Sequence, residues 1–149
     1  MDCNVRPATE SDVSFISEAE KSLFVDAWSK KGIAEEFTNE YAKLFIAEAG
    51  GAKVGYCIVI ESFDEADIVR IGVMPEFRRN GFATSLLEYV FEDGDRKGIM
   101  FYNLEVRKSN SPARALYERC GFLLEGYRPG FYSSPKEDAA MYRYERTGN

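Results

Sequence analysis

The feature that most constrains the fold is a short basic loop at residues 74–84, which separates two segments of different periodicity. The segment before it, residues 67–73, has the length and the β-branched composition of a strand. After the loop, apolar residues recur at helical intervals, at Ala83, Leu86, Leu87, Val90 and Phe91. The sequence therefore predicts a strand, a glycine-containing loop and a helix, in that order.

This loop has the properties of an anion-binding site. The first turn of a helix leaves backbone N–H groups without partners and carries the positive end of the helix dipole. Arg78 and Arg79 add positive charge, and Gly81 lets the main chain approach a ligand without a Cβ in the way. We interpret the loop as a cradle for a phosphate or pyrophosphate; the alternative is an ordinary turn with two solvated arginines.

Composition narrows the class of protein. The chain of 149 residues is long enough for one domain with its own core, which we assign to residues 1–149. Its 19 basic and 25 acidic residues give a net charge of −6, which argues against nucleic-acid binding and favours a cationic partner. We find no signal peptide and no apolar run long enough to span a membrane, so we expect a soluble cytoplasmic protein.

The chain contains no histidine. This excludes Ser-His-Asp and Cys-His nucleophile pairs and the H-E-x-x-H zinc site. Acid–base chemistry must then use carboxylates, tyrosines, lysines, thiols or water. The three cysteines form no C-x-x-C pair, so the sequence suggests neither a disulfide framework nor a cysteine zinc site.

Periodicity and turn signals predict an α+β fold. Strands are predicted at residues 4–8, 43–49, 53–61, 66–73, 100–106, 122–131 and 138–144. Helices are predicted between Thr9 and Leu23, at 29–37, at 83–97, and from a cap at Ser111 to Gly121. The second to fourth strands should form an antiparallel meander, and the helix after the basic loop should return the chain to a parallel strand. The expected sheet is therefore mixed and mostly antiparallel, with six to seven strands and four helices.

Glu105 is a candidate general base. It lies in an apolar strand that the parallel crossover should place next to the strand of Ile71 to Val73, so that the carboxyl-terminal ends of both strands open on the basic loop. A half-buried carboxylate has its pKa raised by desolvation, which suits a base working near neutral pH. The alternative is an outward-facing residue paired with Arg107 or a lysine.

Four other residues carry two interpretations each. Tyr117 is either a proton donor or a core tyrosine whose hydroxyl is tied to a backbone carbonyl. Asn110 is either a ligand contact or a helix cap. Trp28, in the loop between the first two helices, is a hydrophobic anchor or a substrate contact, and Cys57 fits the core better than a nucleophile.

The basic loop resembles a known cofactor signature. Residues 78–83 match the R/Q-x-x-G-x-G/A pattern of the GNAT N-acetyltransferases, with Ala83 at a position where the pattern permits alanine. The order of elements is similar to that fold over the whole chain. Residues 71–75, 104–110, 115–122 and 137–141 look most like the bacterial ribosomal-protein alanine N-acetyltransferases (RimI) within this family.

The resemblance implies a cofactor and a role for each site residue. Acetyl-coenzyme A is the expected co-substrate, and no metal is expected. Its pantetheine arm would lie along the main chain of Ile71, Gly72 and Val73, and Asn110 would contact the cofactor. Glu105 would be the base and Tyr117 the acid. The pyrophosphate would be held by the loop residues Arg78, Arg79, Asn80, Gly81, Phe82, Ala83 and Thr84.

The resemblance also implies an acceptor. This is a protein N-terminal α-amine, the alanine of a basic ribosomal protein, which the acidic balance of this chain would attract. A small-molecule amine or a lysine side chain is the alternative acceptor in the same fold, and a non-catalytic acyl-coenzyme A sensor is an alternative of another class. We expect a monomer or a weak dimer with no direct nucleic-acid or membrane partner.

Overall fold

A computed structural model describes residues 2–146, so the predicted domain extends past them at both ends. The helices are α1 (Val13–Leu23), α2 (Lys30–Glu36), α3 (Phe82–Lys97) and α4 (Ser111–Arg119). The strands are β1 (Asn4–Pro7), β2 (Ala42–Ala49), β3 (Ala52–Ser62), β4 (Glu65–Val73), β5 (Phe101–Arg107), β6 (Leu123–Ser133) and β7 (Lys136–Glu145). None of the helices within the described range has both the length and the apolar character needed to cross a membrane.

The strands form a seven-stranded sheet in the order β1-β2-β3-β4-β5-β7-β6. Among the strand pairs of residues 2–146 only β4–β5 is parallel, because α3 crosses over between these two strands. The meander of β2, β3 and β4 is confirmed, and its first turn places Gly50 and Gly51 at φ values of 57° and 80°, where glycine is favoured. The predicted α+β fold with a mixed, mostly antiparallel sheet and four helices is confirmed.

The parallel pairing of β4 with β5 is short. It covers only Glu65–Asp67 of β4, although β4 continues to Val73. Just past this point Val69 has no partner in β3, since Ile58 pairs with Arg70 and Val59 pairs with Ile68. Such a β-bulge bends a strand and increases its twist. The predicted parallel pairing of β5 with the strand that contains Ile71–Val73 is therefore confirmed, but it does not extend to those three residues, because the two strands diverge before they reach that level.

The two faces of the sheet carry separate cores. The larger core contains Tyr117 of α4 and the inner residues of α3, such as Phe82 and Leu86, packed on the central strands. The smaller core contains Ile16 of α1 and Ile33 of α2. The sheet is therefore covered by α3 and α4 on one face and by α1 and α2 on the other.

The cap of α4 differs from the prediction by one residue. The Asn110 side-chain oxygen accepts from the backbone N–H of Ala113 at 3.3 Å, so Asn110 rather than Ser111 is the N-cap. Asparagine caps a helix at least as well as serine, which makes the earlier start favourable. Pro112 then lies in the first turn, where a missing N–H costs nothing.

Gly94 in α3 is required by close packing, which gives a prediction about stability. A Cβ at this position would collide with the Tyr102 hydroxyl and lie 3.0 Å from the ring carbon that bears it. Gly94→Ala should therefore lower stability by about 1–2 kcal/mol, because overpacking outweighs the helix-propensity gain of about 1 kcal/mol. Thermal unfolding measures this as a Tm lower by several degrees.

Tyr102→Phe supplies the control, since the Tyr102 hydroxyl has no hydrogen-bond partner among the described residues. Combined with Gly94→Ala it should restore most of the lost Tm. A Gly94→Ala protein as stable as the parent would contradict this account of the packing.

Candidate active site

The basic loop ends in an open helix N-terminus. A 3-10 turn at Pro75–Phe77 forms the first part of the loop, and Gly81 caps α3 with a φ of 77°. The first backbone bond of α3 joins the Ser85 N–H to the Gly81 carbonyl, so the N–H groups of Phe82, Ala83 and Thr84 have no partner within the helix. A Cβ at Gly81 would meet no atom within 4 Å, which leaves room for a ligand against the main chain.

Internal hydrogen bonds hold the loop in shape. The Asn80 side-chain amide donates to the carbonyls of Phe77 and Arg78, at 3.0 and 3.2 Å. Arg79 adopts a φ of 65°, which is uncommon outside glycine and turns the chain towards the helix. The side chains of Arg78 and Arg79 are exposed, whereas the Phe82 ring is buried in the core and leaves only its N–H at the site.

The end of β4 has a backbone edge that β5 does not cover, where the Val73 carbonyl accepts from the Arg78 guanidinium at 3.4 Å. Residues 70–73 pair with β3 on one side, and the pairing with β5 has already ended. The Met74 N–H donates to Val54 of β3 at 2.8 Å, so the N–H groups of Val73 and Ile71, which alternate with it, point to the free edge. Gly72 packs tightly, since a Cβ there would lie 2.8 Å from Leu23.

Tyr117 lies inside the larger core with its hydroxyl available. Its ring is 7% exposed and contacts Phe122 edge to face, at 5.9 Å between centroids. Burial raises the pKa of the phenol, and the nearby Cys57 thiol and Tyr132 phenol raise it further. No hydrogen bond to this hydroxyl forms within residues 2–146. Tyr117 is therefore not a core tyrosine tied to a carbonyl, and its proton is retained well into alkaline pH.

Glu105 lies on the opposite face of the sheet from Tyr117. Its neighbours Leu104 and Val106 point into the core beneath α3 and α4, so Glu105 projects towards the side of α1 and α2. Its side chain is 34% exposed and forms an ion pair with Arg128 of β6 at 3.1 Å. A partner from β6, rather than Arg107 or a lysine, is a tertiary contact that the strand pattern does not reveal.

The gap that opens where β4 diverges from β5 therefore lies between groups on the two faces of the sheet. Tyr117 and the basic loop lie on the side of α3 and α4, and Glu105 lies on the other side. Asn110 occupies its cap position at the start of α4, and the carbonyl oxygen of its side chain is used there. A ligand along this edge of β4 would have Tyr117 on one face of the sheet and Glu105 on the other.

A groove on the face of Glu105 includes residues that the sequence analysis did not single out. It has a volume of about 280 Å³ and is lined by Val25, Asp26, Arg107, Phe131, Tyr132, Ser133 and Ser134. Burial raises the pKa of Tyr132, and the charge of the Glu105 carboxylate raises it further. The sequence signal for this groove was the pair Phe131-Tyr132 next to the polar turn at Ser133 and Ser134.

The structure bears on two alternatives from the sequence analysis. Trp28 is partly buried against the smaller core, as expected of a hydrophobic anchor, and its backbone N–H donates to the Glu20 carboxylate at 2.9 Å. Cys57 is fully buried in β3, and burial raises the pKa of its thiol, so it belongs to the core. Among the described residues no three cysteine or acidic side chains are arranged to hold a metal ion.

Comparison with known proteins extends these observations. The Acetyltransferase (GNAT) family profile matches residues 13–122. A candidate ribosomal protein bS18-alanine N-acetyltransferase of Bacillus subtilis (strain 168) is 33% identical over 138 residues, which are 92% of this chain and 91% of that protein. The ribosomal protein bS18-alanine N-acetyltransferase of Escherichia coli (strain K12) is 32% identical over 116 residues, 76% of this chain and 78% of that one.

Solved structures agree with the architecture. A crystal structure of the ribosomal-protein alanine N-acetyltransferase from Escherichia coli superposes with a TM-score of 0.88 at 27% identity, covering 97% of this chain and 94% of the other. An acetyltransferase of the GNAT family from Elizabethkingia anophelis, determined with acetyl-CoA bound, has the same fold with a TM-score of 0.78 at 18% identity, over 97% and 98% of the two chains. From the family match and these relatives together, the chain belongs to the Acetyltransferase (GNAT) family and is an N-acetyltransferase.

Proposed function

We propose that this enzyme transfers the acetyl group of acetyl-coenzyme A to the N-terminal α-amine of a protein, and that the acceptor is the alanine of a ribosomal protein in the cytoplasm. The relatives named for this activity support the acceptor. The observation that carries the proposal is the gap between β4 and β5, which has a buried phenol on one face and a carboxylate on the other.

The residues of the site fit the cofactor. The open N-terminus of α3, with Arg78 and Arg79 beside it, suits a pyrophosphate. The free edge of β4 at Ile71 and Val73 offers N–H groups to the amides of a pantetheine arm, in the manner of an added strand. When bound, acetyl-coenzyme A supplies an acetyl thioester that is activated towards amines.

The pKa of the acceptor decides how strong a base is needed. An α-amino group has a pKa of about 7.7–8.0 and a lysine side chain one of about 10.4, so at pH 7 roughly a tenth of the α-amine is already neutral. The difference of about 2.5 units corresponds to about 3.4 kcal/mol. Glu105, a partly exposed carboxylate, is a sufficient base for the α-amine, directly or through a water.

Arg128 holds Glu105 while no acceptor is bound. The two side chains are 55% and 34% exposed, and an ion pair at such a site contributes only about 0.2–1 kcal/mol. The ammonium of an incoming acceptor can therefore replace the guanidinium at little cost. Glu105 then takes a proton from that ammonium, and the neutral amine attacks the thioester carbon.

The Val73 N–H and the Tyr117 hydroxyl complete the transfer. The Val73 N–H on the free edge of β4 is available to the thioester oxygen as negative charge develops there. The Tyr117 hydroxyl, free of other hydrogen bonds in residues 2–146, then donates its proton to the departing thiolate. The chain thus needs no covalent intermediate, and Cys57 remains part of the core.

The acceptor class is tested with peptides. One peptide has a free N-terminal alanine, a second has the same sequence with a blocked N-terminus and one lysine, and a polyamine serves as a small-molecule acceptor. We expect kcat/KM to be at least about 100-fold higher for the free N-terminus, given the 3.4 kcal/mol difference above. Equal turnover of the blocked peptide would rule out N-terminal specificity, and faster turnover of the polyamine would favour the small-molecule alternative.

The two proton-transfer roles predict that kcat falls while the affinity for coenzyme A is kept. Tyr117→Phe and Glu105→Gln should each lower kcat by about 100-fold or more, with little change in the Kd for coenzyme A. Because burial raises the pKa of Tyr117, the wild-type kcat should not decline on the alkaline side below about pH 10. Undiminished rates in both variants, measured with the preferred acceptor, would refute the assignments.

If the basic loop binds the pyrophosphate, substitutions of the two glycines that cap α3 should differ in their effect on coenzyme A binding. Gly81 and Gly98 flank the helix with φ values of 77° and 81°, and a Cβ at either position meets no atom within 4 Å. Alanine at either site should cost about 1 kcal/mol of stability through backbone strain. Gly81→Ala should in addition weaken coenzyme A binding about tenfold by calorimetry, because its Cβ enters the space for the ligand.

Gly98→Ala is the matched control, since it carries the same strain at the far end of the helix. It should retain the affinity of the parent for coenzyme A. Equal affinities in the two variants would mean that the loop does not hold the cofactor.

A further inference from the structure

A buried charge network holds the loop between α1 and α2 against the sheet. The Arg70 guanidinium in β4 donates to the Asp26 carbonyl at 2.8 Å and to the Asp26 carboxylate at 3.2 Å. The same guanidinium lies 4.1 Å from the centre of the Phe24 ring. Two residues of this loop are thus fixed by one side chain, which is itself only 11% exposed.

Glu20 of α1 lies beneath Arg70 and orders it. Its carboxylate has no exposed surface. It accepts from the Arg70 guanidinium at 3.1 Å, from the Tyr56 hydroxyl and from the backbone N–H of Trp28. A fully buried carboxylate is retained only where such partners compensate its desolvation. The network therefore fixes the position of Arg70, and through Arg70 that of Asp26.

The sum of these charges leaves a negative charge in the groove. Glu20 neutralises Arg70, so Asp26, with a side chain that is 61% exposed, contributes a surplus carboxylate to the groove wall. On the opposite wall, Arg107 is neutralised by Glu137 at 3.3 Å. The Glu105–Arg128 pair near the groove also sums to zero. The charged groups that line the groove, with their partners, therefore carry a net charge of −1.

We infer that Asp26 is a specificity-determining residue that binds a cationic side chain of the acceptor, and that Arg70 is the positioning residue that holds it. This inference rests on the proposed function for the identity of the acceptor. Asp26 lies in the same groove wall as Val25, on the face of Glu105, so it faces residues of the acceptor that follow the reacting amine. A lysine or arginine near the N-terminus of the acceptor is the side chain that this wall would favour.

The test uses pairs of peptides with a common N-terminal alanine. Within each pair, position two, three or four carries either lysine or norleucine, which has a similar stem without the charge. Binding is measured by calorimetry on the protein saturated with coenzyme A, and KM and kcat are measured with acetyl-coenzyme A. At low salt we expect the wild type to prefer lysine about three- to fivefold at one of these positions, through KM rather than kcat.

Asp26→Asn should abolish this preference, because asparagine keeps the oxygen that accepts from Arg70 but removes the charge. Arg70→Gln should abolish it too, and should raise KM for both peptides, since the loop loses its anchor. Its folding is checked by thermal unfolding, because Glu20 loses a buried partner. Asp95→Asn is the matched control: Asp95 of α3 pairs with Arg146, which follows β7, away from the groove, and the variant should keep the lysine preference.

The outcomes separate this inference from the proposed function. A lysine preference that Asp26→Asn removes supports the inference even if no peptide is acetylated, and in that case the proposed function fails alone. If peptides are acetylated but lysine is preferred at none of the three positions, the inference is overturned and the proposed function stands. A preference that survives Asp26→Asn also overturns it.

Discussion

The divergence of β4 from β5 is the constraint on which the rest of the site depends. Neighbouring strands normally satisfy one another's backbone groups along their whole length. Here the bulge at Val69 bends β4 after only three paired residues, and the N–H groups of Ile71 and Val73 are left on an open edge. Such an edge requires water or a ligand as a partner. The open helix N-terminus of α3 follows directly in the chain, so both binding features meet at one place.

Where β4 and β5 still pair, close packing holds the two strands together. Phe91 of α3 lies 4.9 Å from Tyr102 and 4.7 Å from Tyr144 between ring centroids, at the level where β4 and β5 still pair. On the other face, Asn103 donates to Glu65 and Asp67 across the same pair of strands. Because aromatic and polar contacts hold the strands together here, they can part further along without loss of the sheet.

The fold was largely predictable because its signals are local. The Gly50-Gly51 hairpin, the periodicity of α3 and the crossover length each depend on residues close in sequence. The open N-terminus of α3 after the basic loop could be inferred in the same way, since it follows from a glycine before a helical periodicity. The bulge at Val69 could not, because it depends on how β4 pairs with β3 rather than on its own composition.

The candidate site was predictable in its residues but less so in their surroundings. Glu105 and Tyr117 could be named from motifs, yet their places on opposite faces of the sheet follow from the register of β5 and the packing of α4. The pairing of Glu105 with Arg128, and of Asp26 with Arg70, joins side chains that are 23 and 44 positions apart. Contacts over such separations depend on the assembled sheet.

The sequence by itself determined which elements form and which chemistry is available, because periodicity, caps and the lack of histidine are properties of the chain alone. Only the tertiary structure decided where that chemistry can act. A bend in one strand opens the sheet, and a buried carboxylate, Glu20, orders the wall of the groove that Asp26 lines. Both depend on the free energy of packing between distant segments, which no single segment contains.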